Sequence, residues 1–316
     1  MSHNEGVDGE QWMSLGGGVD GRVDNGCLWV GGGAWGVGGG IGYNGGLVNE
    51  MEMRGMLDAV VDLVCTTAQR ELLGRFRYVR GERKADGSVI TAADTAMQSE
   101  LVRALEQRWP EIVVLGEEMS AHAQEQALAA PGGQLWCIDP LDGTTNFAAG
   151  FPFFSVSLAL IENGEPVLGV VYDPVRDECF TATRGGGAAL NGAPVTASSG
   201  QVTLQGAVAV VDFKRLPNAL AQRLVANPPY ASQRNLGSVA LEWAWLASGR
   251  SHLYLHGAQK IWDLAAGSLI LAEAGGQSST LQGHPTLVAD VKPHSAVAAA
   301  SPSLHSQWMD WLNGET

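Results

Sequence analysis

Residues 136–147 read WCIDPLDGTTNF. Cys137 and Ile138 are apolar and lead into Asp139, which places a carboxylate at the end of a buried strand. An unpaired charge there is costly, so something cationic is expected to meet it. Pro140 permits a sharp bend after the strand. The bend returns Asp142 toward the same point and exposes the Leu141 carbonyl beside it. Oxygens converging in this way suit a hard cation, and Mg2+ takes an oxygen shell that a substrate phosphate often completes. Zinc and other transition metals favour histidine or cysteine, and the seven histidines of the chain are scattered. Gly143 lets the backbone approach a phosphate closely. Thr144 and Thr145 add hydroxyls, together with N–H groups that a helix N-terminus would aim at an anion. The alternative is an acidic turn with a helix cap and no ligand.

Three further stretches place acids beside a strand end, a turn or a helix start. KADGSVITAAD (84–94) offers Lys84, Asp86 and Asp94; VVLGEEMS (113–120) offers Glu117 and Glu118; AQKIWDLAAG (258–267) offers Asp263. Taken alone, Asp94 or Asp263 is an ordinary helix cap. Taken with Asp139 and Asp142, the set points to metal and phosphate chemistry.

The 316 residues are 45% hydrophobic, enough to bury a core in one large domain or two closely joined ones. Four cysteines (Cys27, Cys65, Cys137, Cys179) include no CxxC pair, which argues against a zinc knuckle or a disulfide framework. A reducing, cytoplasmic compartment is expected. The opening residues lack the pattern of a signal peptide, and no apolar run is long enough to span a bilayer, so no membrane partner is expected. Lys and Arg total 19 against 33 Asp and Glu, a formal net charge of -14. That field opposes nonspecific attraction to nucleic acid or anionic lipid. It does not oppose a phosphorylated small molecule if metal ions supply the positive charge.

Residues 1–52 form a glycine-rich stretch with neither helical nor strand period, expected to be a disordered or non-native extension. From Met53 an amphipathic helix carries Leu57, Val60, Val61 and Val64 on one stripe. A second helix is predicted over 91–109, then a turn at Pro110 and the strand IVVLG. Residues 153–185 give three apolar runs divided by NGE and DPVRD turns, as adjacent antiparallel strands require. The portion 53–200 is thus α+β and carries most of the acids. The portion 201–316 is α/β, with helices over 216–226, 238–248 and 262–274 and a closing strand and helix. Alternating helices and strand groups imply a layered α/β fold.

GEE at 116–118, DPLDGTTNF at 139–147, WDLAAG at 262–267 and EAGG at 273–276 stand in an order and spacing that resembles the inositol monophosphatase family. KADGSVITAAD, GVVYDP (169–174), GAALNG (187–192) and RNLGSVAL (234–241) agree with it. The resemblance runs from about Met53 to the C-terminus. It implies an αβαβα sandwich and a Mg2+-dependent, usually lithium-sensitive phosphatase of two or three ions, commonly a homodimer. Glu117, Asp139 and the Leu141 carbonyl would bind one ion; Asp139, Asp142 and Asp263 would bind a second. Thr144, backed by Asp94, would orient the water that attacks phosphorus in line, and Lys84 would lend electrostatic support. Gly143, Thr144 and Thr145 would hold phosphate oxygens. Gly237 and Ser238 would line the substrate side, where Arg234 either joins them or crosses a subunit contact.

The implied substrate is a small polyol or amino-alcohol phosphate, led by inositol 1-phosphate, with histidinol phosphate and fructose 1,6-bisphosphate as alternatives. TTNF after the acidic pair disfavours a nucleotide. One departure stands out: His252 and His256 occupy places where relatives carry acids, and both histidines read as surface or core residues. Lys260 faces either the sugar or solvent. A reading of another class is a regulatory binding protein that retains the phosphatase fold.

Overall fold

The computed structural model describes residues 50–76, 81–83, 89–198, 200 and 202–314. The glycine-rich stretch through Asn49, together with Lys84 and Asp86, lies outside them. Helix α1 (Glu50–Ala68) begins inside the predicted extension and continues into a π-turn at Gln69–Leu73. The hairpin strands β1 (Glu82–Arg83) and β2 (Val89–Ile90) lead to α2 (Ala92–Arg108), capped by Thr91. Then follow β3 (Val113–Gly116), α3 (Ala121–Leu128), β4 (Gln134–Asp142) and the short α4 (Thr144–Ala149). Strands β5 (Ser155–Glu162), β6 (Glu165–Asp173), β7 (Glu178–Thr183), β8 (Gly187–Leu190) and β9 (Ala193–Pro194) run antiparallel in sequence. The second half comprises β10 (Val208–Asp212), α5 (Asn218–Ala226), β11 (Ser232–Arg234), α6 (Val239–Ala247), β12 (Leu253–Gln259), α7 (Ile261–Glu273), β13 (Gln277–Ser279), β14 (His294–Ala299) and α8 (Pro302–Asn313).

Two sheets organise the fold: a seven-stranded one in order β3-β4-β5-β6-β7-β8-β9 and a five-stranded one in order β11-β10-β12-β14-β13. Side-chain alternation with period 2 builds the layers. On β5, Val156, Leu158 and Leu160 pack with Val60, Val64, Leu101 and Leu105 of α1 and α2. The other face of the same strand, Ala159 and Ile161, packs with Trp243 of α6 and Leu264 and Leu269 of α7. On β12, Tyr254 joins that middle helical layer, while Leu253 and Leu255 face Leu224 of α5 and Leu304 and Trp308 of α8. The result is an αβαβα sandwich, as the sequence pattern implied.

Two differences from the sequence reading follow from local geometry. Asp139 does not end its strand: β4 runs on through Pro140 to Asp142, with a register shift against β5 between Asp139 and Asp142. A bulge re-aims the two acids without leaving the sheet. The meander also extends beyond three strands, because GGAALNGAP folds as two short strands with Asn191 and Gly192 at positive φ in the turn. Among the described residues no helix is long and apolar enough to cross a membrane.

The middle layer depends on a close approach of α6 and α7. A Cβ on Gly267 would stand 2.4 Å from the Cβ of Trp243. Gly55 in α1 has nothing within 4 Å of that position. Gly267→Ala is therefore expected to destabilise the protein by about 1–3 kcal/mol through overpacking, and Gly55→Ala to stabilise it by about 0.5–1 kcal/mol through helix propensity. Urea melts of the two variants beside wild type check both signs.

Candidate active site

The bulge in β4 brings Asp139 and Asp142 into one cavity of ≈ 990 Å³ with Glu117 and Asp263. Asp139 and Asp142 are buried, while Glu117 and Asp263 are partly open to the cavity. Each is positioned by its own element. The Glu117 N–H donates to the Ile138 carbonyl and continues the β3–β4 pairing (3.2 Å). Asp139 Oδ1 accepts from the Leu141 N–H (3.0 Å). Asp142 Oδ2 accepts from Ser238 Oγ (2.6 Å) and from the Ala240 N–H in the first turn of α6 (2.7 Å). Asp263 Oδ2 accepts from the Lys260 N–H at the start of α7 (2.8 Å).

Burial pushes all three aspartates above the ordinary carboxylate range. For Asp139, the charges of Glu117, Asp142 and Asp263 push further in the same direction. For Asp263, Glu117 and Asp142 do so. At Asp142 burial wins over the donors Ser238 and Ala240.

Thr144 opens α4 and has a single hydroxyl proton to give. Its Oγ1 lies 2.8 Å from Asp94 Oδ1 and 3.0 Å from the Leu141 carbonyl, so it donates to one or the other. Asp94 is fixed at its other end: Oδ2 accepts from the Thr91 N–H (2.7 Å) and Thr91 Oγ1 (2.6 Å) in a capping box at the start of α2. Burial raises the Asp94 carboxyl, against the pull of those donors. Gly143 sits at φ 93, and a Cβ there would stand 3.2 Å from the Gly237 and Phe153 carbonyls. Asn146 ties the loop down by donating to the carbonyls of Phe153 and Leu236 (both 2.7 Å).

Glu117, Asp139, Leu141, Asp142, Gly143, Thr144, Thr145, Gly237 and Asp263 thus line one cavity. Asp94 reaches it through Thr144, and Ser238 through Asp142. Arg234 is not brought in: its guanidinium donates to Ser232 Oγ (2.7 Å) and the Gln233 carbonyl (2.8 Å) and is exposed. Lys84 lies outside the described residues.

The cavity also takes in Asp212 at the end of β10, Lys214 and Arg215 in the turn after it, Asn235 and Glu242, all of which the sequence reading passed over, together with His256 and Lys260, which it had noted. His256 is buried, not a surface residue, and its Nε2 lies 3.2 Å from Asp212 Oδ2. Arg215 pairs with the same oxygen at 2.6 Å. Burial alone would raise the Asp212 carboxyl, but His256 and Arg215 hold it well below the ordinary range. His252 stays outside the cavity, its Nδ1 accepting from the Val208 N–H (2.9 Å).

Among the described residues no three of His, Cys, Asp and Glu close into a ready metal cage. The donor set nonetheless fits a divalent hard cation. Its groups are all oxygens, and among the described residues no Lys or Arg forms an ion pair with Asp139, Asp142 or Asp263. Asp142 and Asp263 accept protein donors on Oδ2, which leaves each Oδ1 with no donor among the described residues. Negative charge gathered without a counter-charge is the signature of a site completed by a cation.

An αβαβα sandwich that holds such acids beside a Gly-Thr-Thr turn belongs in class with the metal-dependent sugar phosphatases. The chain belongs to the inositol monophosphatase family, whose sequence model matches residues 54–315. It is 36% identical over 195 residues to the Nus factor SuhB of Xylella fastidiosa, covering 60% of this chain and 68% of that one. It is 35% identical over 235 residues to Inositol monophosphatase 1 of Solanum lycopersicum, covering 72% and 84%. Among solved structures, the IMPase of Thermotoga maritima superposes with a TM-score of 0.71 at 29% identity, over 83% of this chain and 97% of that one. Membership supports a phosphatase-like hydrolase of phosphate monoesters with the divalent-metal dependence typical of the family.

Glu242 generates a pH prediction. Its Oε1 accepts from the N–H groups of Leu236 (2.8 Å) and Gly237 (3.0 Å), yet burial pushes the carboxyl up to about 8. An unfolded glutamate ionises near ~4.3. The folded form therefore keeps its proton where the unfolded form has lost it, and the cost to stability grows as pH rises from about 4 to about 8. In EDTA, Glu242→Gln is expected to stabilise the protein at pH 8 by roughly 2 kcal/mol or more and to change it little at pH 4.5. Urea melts at the two pH values read the difference.

Proposed function

We propose that the chain is a Mg2+-dependent phosphomonoesterase that hydrolyses a small polyol phosphate, led by inositol 1-phosphate, through in-line attack of water on phosphorus. The observation that carries the reading is the group Asp139, Asp142 and Asp263, which form no ion pair with Lys or Arg among the described residues, next to Thr144 on Asp94. Glu117, Asp139, the Leu141 carbonyl, Asp142 and Asp263 would hold two or three ions. When bound, the ions lower the pKa of water and offset charge on the phosphate oxygens.

The residues supply the rest. Asp94, held by Thr91, accepts the Thr144 hydroxyl proton and so turns a Thr144 lone pair toward the attacking water. The N–H groups of Gly143, Thr144 and Thr145, at the first turn of α4, face the phosphate oxygens. Gly237 presses on the Gly143 loop, and Ser238 fixes the rotamer of Asp142. Lys84 keeps a supporting electrostatic role, and Arg234 is assigned to a subunit contact of a homodimer rather than to substrate. Phosphoryl transfer needs positioning and charge neutralisation more than a side-chain nucleophile.

A second reading is favoured by the relative named Nus factor SuhB: a regulatory binding protein that has kept the fold. It predicts a stable macromolecular complex and no Mg2+-dependent turnover.

Phosphate release from inositol 1-phosphate, histidinol phosphate and fructose 1,6-bisphosphate, with and without Mg2+, tests the two. Wild type is expected to gain Tm in Mg2+, and Asp142→Asn to lower kcat on the order of 100-fold or more and to abolish that rise. Thr144→Ala is expected to lower kcat on the order of 100-fold while retaining that rise. Turnover that survives Asp142→Asn unchanged would remove the metal-site assignment.

A further inference from the structure

The cavity also carries basic side chains, from the turn after β10 and the start of α7. The acceptors of Asp212 and His256 beside them are engaged. Asp212 Oδ1 accepts from the Lys214 N–H (3.0 Å) and Asn235 Nδ2 (3.4 Å), and Oδ2 takes Arg215 Nη1 (2.6 Å) and His256 Nε2 (3.2 Å). His256 Nδ1 accepts from the Ala258 N–H (3.2 Å), so both ring nitrogens are engaged by the protein. Glu242 is likewise occupied, through Oε1, by two backbone N–H groups.

The donors are not spent. Among the described residues Lys214 and Lys260 form no ion pair, and Arg215 uses only Nη1. Lys260 Nζ lies over the Trp262 ring, 5.3 Å from its centroid, which holds it at the cavity. The chain has only four lysines in 316 residues, and two of them line this one cavity. In a protein of net charge -14 such a concentration is not a by-product of surface composition. Cations left over beside the engaged acceptors of Asp212 and His256 match a ligand group that accepts hydrogen bonds and carries negative charge.

We propose that Lys214, Arg215 and Lys260 form a second anion subsite, so that the preferred substrate is a phosphate ester whose alcohol carries a second anionic group. The proposal rests on the phosphatase reading above and narrows its polyol. On this reading the scissile phosphate would be held through the metal ions of the acids, and the second anion by Lys214, Arg215 and Lys260. A neutral polyol phosphate such as inositol 1-phosphate leaves those cations unused. The chemistry is shared by phosphate and carboxylate, and a paired comparison separates them.

The test is kcat/KM of the full chain in Mg2+ on two substrate pairs. Fructose 1,6-bisphosphate against fructose 1-phosphate reads a second phosphate, and 3-phosphoglycerate against glycerol 3-phosphate reads a carboxylate. Wild type is expected to favour the doubly anionic member of at least one pair by about tenfold or more, the factor of one charge-assisted hydrogen bond. Which pair shows it names the anion. In Lys214→Gln/Lys260→Gln the ratio is expected to fall toward one, chiefly through KM of the doubly anionic substrate, and Lys214→Arg/Lys260→Arg is expected to restore it. Folding of each variant is checked by its Tm. A wild-type ratio near one in both pairs, or a ratio unmoved by the Gln substitutions, overturns the subsite. No Mg2+-dependent release from the four esters or from inositol 1-phosphate overturns the phosphatase reading, and the subsite with it; release from inositol 1-phosphate alone overturns the subsite and leaves the phosphatase reading standing.

Discussion

The structure is arranged around negative charge that the described protein groups do not neutralise. Asp139 and Asp142 are buried, Glu117 and Asp263 share their cavity, and the neighbouring carboxylates raise the proton affinity of Asp139 and Asp263. Removing an ion from water costs several kcal/mol even after relaxation. Backbone geometry offsets part of that cost. Asp94 and Asp263 each sit in the first turn of a helix and accept from its N-cap, and Asp142 accepts from the first turn of α6. Three helix N-termini, each with partial positive charge, are thus turned on the acids. The remainder falls to a cation, which makes metal affinity and folded-state strain two aspects of one arrangement.

That arrangement also explains why the site lies where the middle layer meets the first sheet. Asp142 belongs to the seven-stranded sheet, but its rotamer is set by Ser238 and Ala240 from the layer between the sheets. Asn146 spans the same seam, from Phe153 on one side to Leu236 on the other. The packing of α6 on α7 at Gly267 and Trp243 therefore acts on chemistry as well as stability, since α7 carries Asp263 and α6 anchors Asp142. A sub-ångström displacement of that layer would separate ligands that must converge.

How much of this was legible in the sequence depended on sequence separation. The capping box of Thr91 and Asp94, the apolar periods of β5 and α2 and the acids around Gly143 are local, and their types and spacing carry the message. The bulge at Pro140 was less legible, because a proline after an apolar run signals a bend equally well in or out of a sheet. The pairing of Asp212 with His256 was not legible at all. The two are 44 residues apart and meet because β10 and β12 lie parallel with Asp212 opposite His256. Only that register turns a histidine from a packing residue into part of the cavity wall. Glu242 left a signal that could have been followed, a lone acid in the apolar run VALEWAWLA four residues after Ser238. Arg234 misled in the opposite direction: its charge suggested an anion, but it is exposed outside the cavity and its Nη1 turns to Ser232 and Gln233.

Arg234 and Lys214 together show what decides recognition in this fold. Both are basic and both stand near a strand end of the five-stranded sheet, yet Arg234 is exposed outside the cavity with Nη1 turned to its neighbours, whereas Lys214 lines the cavity and forms no ion pair among the described residues. The same distinction separates the acids: Asp212 has every oxygen engaged, whereas Asp142 and Asp263 keep one oxygen each clear of described donors. A ligand meets only the unspent groups, so one cavity presents both carboxylate oxygens and cations left free of ion pairs among the described residues. Its polarity is set by the hydrogen-bond balance within the protein rather than by its residue content. On the proposed reading, this is how a fold whose overall charge repels anions would hold one phosphate through metal ions and still retain cations for a second anionic group.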